Sequence, residues 1–199
     1  MLRHTLLCAL AALALIGAGP ASATELYQYH VAIDTSGYTG TGWLDLQLNP
    51  GLATVPAATA KLSNFSGVLD SGYAPMLSGD VSGSLPGVVS FGNSTAYNDL
   101  FQAVVLGGLL QMDLAFGLTT PSLDGTAFAV ALYGSDQMSA LGLGDPFTNS
   151  LVTFDLRRDV TALISDAAMV SAKEIPEPSG MLVLLTGLCA LALLRRRQV

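Results

Sequence analysis

Apolar and polar residues alternate one by one through much of this sequence, and that period constrains the fold more than any other feature. The run Y-Q-Y-H-V-A-I-D at 27–34 places its tyrosines and branched apolar residues on one side and largely polar residues on the other. In W-L-D-L-Q-L at 43–48, the leucines face one way and Trp43, Asp45 and Gln47 the other. Successive side chains of a strand point to opposite faces, so each run predicts a half-buried β-strand.

Further short runs of the same character follow along the chain. Candidate strands cover residues 57–65, 88–91, 101–106, 109–116, 127–133 and 151–156, and glycine- or proline-containing loops at 49–51, 78–87 and 142–146 separate the runs. Residues 159–172 contain helix formers but also fit a last strand, which is the favoured interpretation. Short strands at this spacing predict an all-β fold, an antiparallel β-sandwich that is jelly-roll-like.

The first 23 residues have the organisation of a secretory signal peptide. Arg3 precedes an uninterrupted apolar run, and the small residues Ala21 and Ala23 form the recognition site of a signal peptidase. We expect cleavage after Ala23. The alternative is an N-terminal anchor helix that the protein retains.

The last 25 residues carry three signals in a fixed order, which are a motif, an uncharged segment at 180–194 and a basic cluster. The motif is Pro176, Glu177 and Pro178, and the cluster is Arg195, Arg196 and Arg197. A helix over 180–194 would cover about 22 Å against a hydrocarbon core of about 30 Å, which makes it a marginal transmembrane segment. The arginines favour the cytoplasmic side, so everything before Pro176 is expected outside.

This tail resembles the PEP-CTERM sorting signal, in which a Pro-Glu-Pro motif, a transmembrane segment and a basic cluster are recognised by the membrane enzyme exosortase. The resemblance implies that the anchor is cut off near Pro176 to Pro178, that the host is a Gram-negative bacterium, and that the product reaches the cell surface or an exopolysaccharide matrix. An ordinary tail anchor after a proline-rich linker is the alternative.

The central region also resembles a family of uncharacterised PEP-CTERM proteins. The resemblance runs through Y-H-V-A-I-D-T-S, G-W-L-D-L-Q-L-N-P-G, A-K-L-S-N-F-S-G and G-D-V-S-G-S-L-P-G-V-V-S-F-G-N-S-T-A-Y-N-D. It implies an exported β-protein and carries no biochemical activity with it.

Residues 24–174 remain as one domain, long enough to bury a core. The only cysteines, Cys8 and Cys189, lie in the two apolar terminal segments, so disulfides, thiolate metal sites and cysteine catalysis are not expected in the domain. Four basic residues against 14 acidic ones give residues 24–174 a net charge of −10. Such a surface repels nucleic acid.

Catalytic motifs are absent from residues 24–174. His30 is the only histidine there, and Lys61 and Lys173 lie in no S-x-x-K pattern. Glutamate occurs only at Glu25 and Glu174. We therefore expect no catalytic residues and no enzyme, and an extracellular hydrolase with paired carboxylates is the less favoured alternative.

No cofactor or metal site is expected, although weak Ca²⁺ binding stays open as an alternative. Asp34, Asp80, Asp124 and Asp145 lie near glycine-rich turns, but no EF-hand spacing is present. Aspartate is common in turns because its carboxylate accepts hydrogen bonds from nearby backbone, and this role is favoured here.

The leading hypothesis is a non-enzymatic cell-surface or matrix protein, with signal peptidase, exosortase and exopolysaccharide as its partners. The alternative is a carbohydrate-binding module, which would need Trp43 and nearby tyrosines exposed together as a stacking platform. For a lone tryptophan, burial is the favoured interpretation.

Overall fold

The computed structural model describes residues 25–52, 54–120, 124–157 and 159–176, which form strands and connecting turns without a helix. The strands are β1 (Glu25–Asp34), β2 (Gly40–Pro50), β3 (Ala58–Ser66), β4 (Met76–Ser78), β5 (Val81–Gly83), β6 (Val89–Gly92), β7 (Asp99–Leu106), β8 (Leu109–Leu118), β9 (Thr126–Tyr133), β10 (Val152–Leu156), β11 (Val160–Ile164) and β12 (Val170–Glu174).

The strands form two antiparallel six-stranded sheets. Sheet A has the order β12-β1-β8-β3-β6-β5, and sheet B has the order β11-β10-β9-β2-β7-β4. The chain stays in one sheet only from β5 to β6 and from β9 through β10 to β11, and it changes sheet at every other step, so neighbouring strands in sequence are seldom neighbours in space. The predicted all-β class and its antiparallel sheets are confirmed.

The core lies between the sheets and is built by the alternation seen in the sequence. The three leucines of β2, Leu44, Leu46 and Leu48, are fully buried in it. Aromatic rings join the two sheets, since Phe116 of β8 lies 5.5 Å from Phe128 of β9 between ring centroids. Tilted and edge-on ring pairs at such distances add attraction beyond the burial of apolar area.

Two stretches differ from their prediction. Residues 78–87 were expected to be a loop, but Val81–Gly83 forms β5 and pairs with β6. A three-residue strand that contains serine and glycine has no apolar period from which it could be predicted. Its backbone groups are hydrogen-bonded because the strand pairs with β6.

Residues 159–172 were expected to hold one last strand, and they hold β11 and the start of β12, which lie in different sheets. The turn between them depends on Asp166, whose Oδ1 accepts hydrogen bonds from the backbone N–H groups of Ala168 and Met169, each at 3.1 Å.

The predicted terminal signals fall mainly outside the described residues. This holds for the signal peptide with Ala21 and Ala23, for Glu177 and Pro178, and for the segment from 180 to the end of the chain. Pro176 is described and exposed, directly after Ile175, whose N–H donates to Gln28 O at 2.7 Å. Among the residues with described structure, no helix has the length and apolar character to cross a membrane.

Candidate binding site on the outer face of sheet B

The outer face of sheet B carries polar and aromatic side chains that take no part in the core between the sheets. Because the leucines of β2 point inward, the residues between them, Trp43, Asp45, Gln47 and Asn49, point outward. On the adjacent β9 the outward positions are the alanines at 127, 129 and 131, followed by Tyr133. Small residues beside long polar ones leave a depression, which we call the outer groove.

A pair of buried carboxyl groups lies beside this groove. Asp45 on β2 is 5% exposed, and Asp99 at the start of β7 is 7% exposed. In the register of these strands, Gln47 lies opposite Asp99 and Asp45 lies opposite Phe101. Asp45 and Asp99 are therefore diagonal neighbours, and their carboxyl groups are in hydrogen-bonding contact.

This pair holds a proton at neutral pH. Burial, followed by the contact with Asp99, raises the pKa of Asp45 to about 8 against a weaker opposing effect of the hydrogen bond from Gln47. Burial also raises the pKa of Asp99. The Oδ1 atoms of both side chains are buried and have no hydrogen-bond partner among the described residues. Two carboxylates in contact cannot both ionise cheaply, which favours the protonated form of one of them.

A chain of side-chain amides leads to this pair along β2. The backbone N–H of Asn98 donates to Asn49 Oδ1 at 2.9 Å, and Asn49 Nδ2 donates to Gln47 Oε1 at 2.9 Å. Gln47 Nε2 then donates to Asp45 Oδ2 at 2.7 Å. A backbone N–H can only donate, so it sets the orientation of both amides and hence of the whole chain.

Comparisons with protein-family models, curated proteins and solved structures found no match. The chemistry of the outer groove therefore rests on its own residues.

An aromatic cluster adjoins the carboxyl pair. The ring of Trp43 stacks on Phe101 with centroids 4.9 Å apart and planes 14° from parallel, and Tyr73 meets Trp43 edge-on at 5.3 Å. Trp43 is 3% exposed. It is buried, as the favoured interpretation expected, but on the outer face of sheet B against these rings. It offers no exposed stacking platform.

Two tyrosines keep their hydroxyl groups protonated near the carboxyl pair. Burial and the nearby charges of Asp99 and Asp45 raise the pKa of Tyr97 to about 12. Burial and the charge of Asp45 also raise the pKa of Tyr133. Both side chains are therefore hydrogen-bond donors throughout the physiological pH range.

The loop at 134–151 forms the far wall of the groove. Asp145 Oδ1 accepts hydrogen bonds from the backbone N–H groups of Phe147 at 2.9 Å and Thr148 at 3.0 Å, which shapes the turn. Ser150 Oγ donates to Thr148 Oγ1 at 2.9 Å. Thr148, Ser150 and Thr153 line a cavity of about 170 Å³ together with Asp45.

The predicted turn aspartates are dispersed. Asp34 accepts from the N–H of Ser36 at 2.9 Å, Asp80 accepts from Ser94 Oγ at 2.6 Å, and Asp145 shapes the loop described above. Within the described ranges no three histidine, cysteine or acidic side chains lie close enough together to hold a metal ion.

His30 lies on the opposite side of the molecule, on the outer face of sheet A. Its Nδ1 is 2.7 Å from Asp113 Oδ1, and Asn64 Nδ2 donates to Asp113 Oδ2 at 2.8 Å. Burial opposes ionisation of Asp113, but the hydrogen bonds from Asn64 and His30 outweigh it and lower the pKa of that carboxyl. The local pattern of the sequence did not predict the contacts of Asp113 with His30 and of Asp99 with Asp45, because only strand pairing brings these residues together.

The spacing of Asp45 and Asp99 differs from that of a glycosidase pair. Glycosidases hold two carboxyl groups about 5 to 9.5 Å apart, with the scissile bond or a water between them. Asp45 and Asp99 are in hydrogen-bonding contact, which leaves no space for a reacting atom between them.

Proposed function

We propose that the chain is an exported, non-enzymatic cell-surface or extracellular-matrix protein that is processed at both ends. In this proposal signal peptidase cuts after Ala23. Exosortase then recognises the tail that contains Pro176, Glu177 and Pro178. The product is the β-domain, delivered to the surface or exopolysaccharide of a Gram-negative bacterium.

The position of the fold between the two predicted signals is the observation that carries this proposal. Strand β1 begins at Glu25, directly after the predicted signal peptide, and β12 ends at Glu174, directly before the tail. These two strands pair with each other, with Tyr29 opposite Glu174. Both cuts would therefore leave every strand in place.

A jelly-roll arrangement is part of the same proposal. The repeated change of sheet along the chain supports it, since long-range pairings replace simple hairpins over most of the sequence. Such a fold needs no disulfide, in keeping with a domain that contains no cysteine.

The experiment compares intact mass and membrane fractionation of the protein from its host with a variant in which Pro176, Glu177 and Pro178 are alanine. We expect the wild type to lack its tail and the triple variant to stay uncut in the membrane. Pro146→Ala, at an exposed loop proline, is the control and should be processed normally. Equal retention of the tail in all three proteins would refute sorting.

Carbohydrate binding is the second candidate function, and the outer groove favours it. Trp43 is not the platform, because it is buried. Tyr73 and Tyr97, each 50% exposed, offer aromatic surface next to the polar side chains of β2. The carboxyl pair does not support the hydrolase alternative, because Asp45 and Asp99 are in contact, whereas the two catalytic carboxyl groups of a glycosidase are separated.

A further inference from the structure

We propose that the outer groove of sheet B binds a neutral saccharide, with one sugar ring in the pocket between the amides of β2 and the loop at 148–150. This inference rests on the carbohydrate-binding role proposed above and is independent of how the tail is processed. Three features of the groove support it, which are the direction of its hydrogen bonds, the apolar floor of the pocket, and the second depression that continues the groove beyond the pocket.

Hydrogen-bond donors line one wall of the pocket. Asn49 uses its carbonyl oxygen to accept from Asn98, and Gln47 uses its own to accept from Asn49. Each amide nitrogen carries a second hydrogen, and both side chains line the pocket. These two residues therefore offer a ligand N–H donors, and each carbonyl oxygen keeps a second lone pair as an acceptor.

Acceptors lie next to these donors and across from them. Asp45 lines the pocket; its Oδ1 is buried, and its Oδ2, which accepts from Gln47, has a second lone pair for a ligand. Ser150 Oγ gives its hydrogen to Thr148 and is almost fully buried, so the exposed Thr148 and the half-buried Thr153 supply the hydroxyl groups that a ligand can reach. Alternating donors and acceptors match hydroxyl groups, which both donate and accept.

A cation fits this lining poorly. Calcium takes six to eight oxygen ligands, and Asp45 is the one carboxyl group among the described residues that line the pocket. The alanines at 127, 129 and 131 supply methyl groups only, and the free hydrogens of Gln47 and Asn49 repel positive charge. The lining therefore favours a neutral ligand.

The shape of the groove fits a sugar chain. Three alanine methyl groups form an apolar floor, on which the C–H face of a pyranose ring can lie. The pocket volume of about 170 Å³ is below the roughly 300 Å³ of pockets for drug-sized ligands, so it accommodates one small ring. A second depression of about 480 Å³ shares Asn49, Ala127 and Thr153 with it, so the groove has room for further units.

The test measures binding of four neutral disaccharides, cellobiose, maltose, lactose and N,N′-diacetylchitobiose, by calorimetry on protein expressed from the full chain. We expect at least one to bind with a Kd of about 1 mM or tighter, as for a few hydrogen bonds on a preformed surface. Ala129→Leu, which fills the pocket floor opposite Gln47, should weaken binding at least tenfold. The matched control, Ala115→Leu on the outer face of sheet A, should bind as the wild type does.

Thr153→Val is the second variant, because it keeps the shape and strand preference of the residue and removes only its hydroxyl. It should weaken binding several-fold, and it keeps the test decisive if Ala129→Leu does not fold. The proposal is overturned if no disaccharide binds, if both groove variants bind like the wild type, or if only CaCl₂ or methylammonium binds. None of these outcomes changes the fractionation result, so failure of the site and failure of sorting are distinguishable.

Discussion

Asp45 and Asp99 lie buried side by side on the outer face of sheet B, where burial and their mutual contact raise the pKa of Asp45 to about 8. Neither carboxyl group has a cationic partner in the hydrogen bonds and ion pairs of the described residues. The pair is therefore a site where protonation and folding are coupled.

Stability should fall as the pH rises across this site. The pKa of Asp45 is about 8 in the folded protein and about 3.9 in an unfolded chain. Between these values the folded state binds the extra proton, so the free energy of unfolding decreases from about pH 4 to about pH 8 and then levels off. Urea unfolding at pH 5 and pH 8.5 measures the difference. A higher stability at pH 8.5 would contradict a protonated pair.

Asp45→Asn should stabilise the protein above neutral pH. The new amide donates to Asp99 without a titrating proton and still accepts from Gln47, so the pair no longer buries a second negative charge as the pH rises. The decrease in the free energy of unfolding with rising pH should also become smaller in this variant. Urea unfolding at pH 8 tests both expectations. The control is Asp113→Asn on sheet A, which removes a carboxylate stabilised by Asn64 and His30 and should not stabilise the fold.

Trp43 should report on the outer aromatic cluster through its fluorescence, because it is the only tryptophan in the chain. Its burial predicts blue-shifted emission and weak quenching by acrylamide. Tyr73→Ala removes the ring that meets it edge-on and should shift the emission to the red and increase quenching. Tyr97→Ala, at a tyrosine of equal exposure outside that ring contact, should leave both quantities unchanged.

Phe128→Ala should destabilise the sandwich by about 3 to 5 kcal/mol, because it leaves a cavity where the two sheets meet. The Phe128 ring is fully buried and touches Phe91 and Phe116 of sheet A, with centroids 5.4 and 5.5 Å away. Phe147→Ala is the matched control, since that ring is 92% exposed. Its effect should stay within about 0.5 kcal/mol. Thermal and urea unfolding measure the stability of both variants. Equal effects of the two substitutions would contradict the position of Phe128 in the core.

The strands with a clear apolar period were predictable, and those without one were not. Strands β1, β2, β8 and β10 lie where alternation places them, with their apolar sides in the core. Strands β4 and β5 have three residues each and are mostly exposed, so their side chains carry no period. Their existence depends on partner strands, which a local pattern does not reveal.

The candidate site was only half predictable for the same reason. Alternation placed Trp43, Asp45 and Gln47 together on one face of β2, and the structure agrees. It did not indicate that Asp99 would lie beside Asp45, or that Tyr73 would cover Trp43. Both contacts join residues that are distant in sequence.

The sequence by itself determined the strand class, the inward and outward faces of the longer strands, and the polar composition of the outer face of sheet B. Those properties follow from the period of two in an extended chain, which is local. Only the tertiary structure decided the order of strands, the position of Trp43 in a cluster outside the core, and the contact between Asp45 and Asp99. Register and loop packing decide these features, because which strand pairs with which depends on contacts across the whole domain.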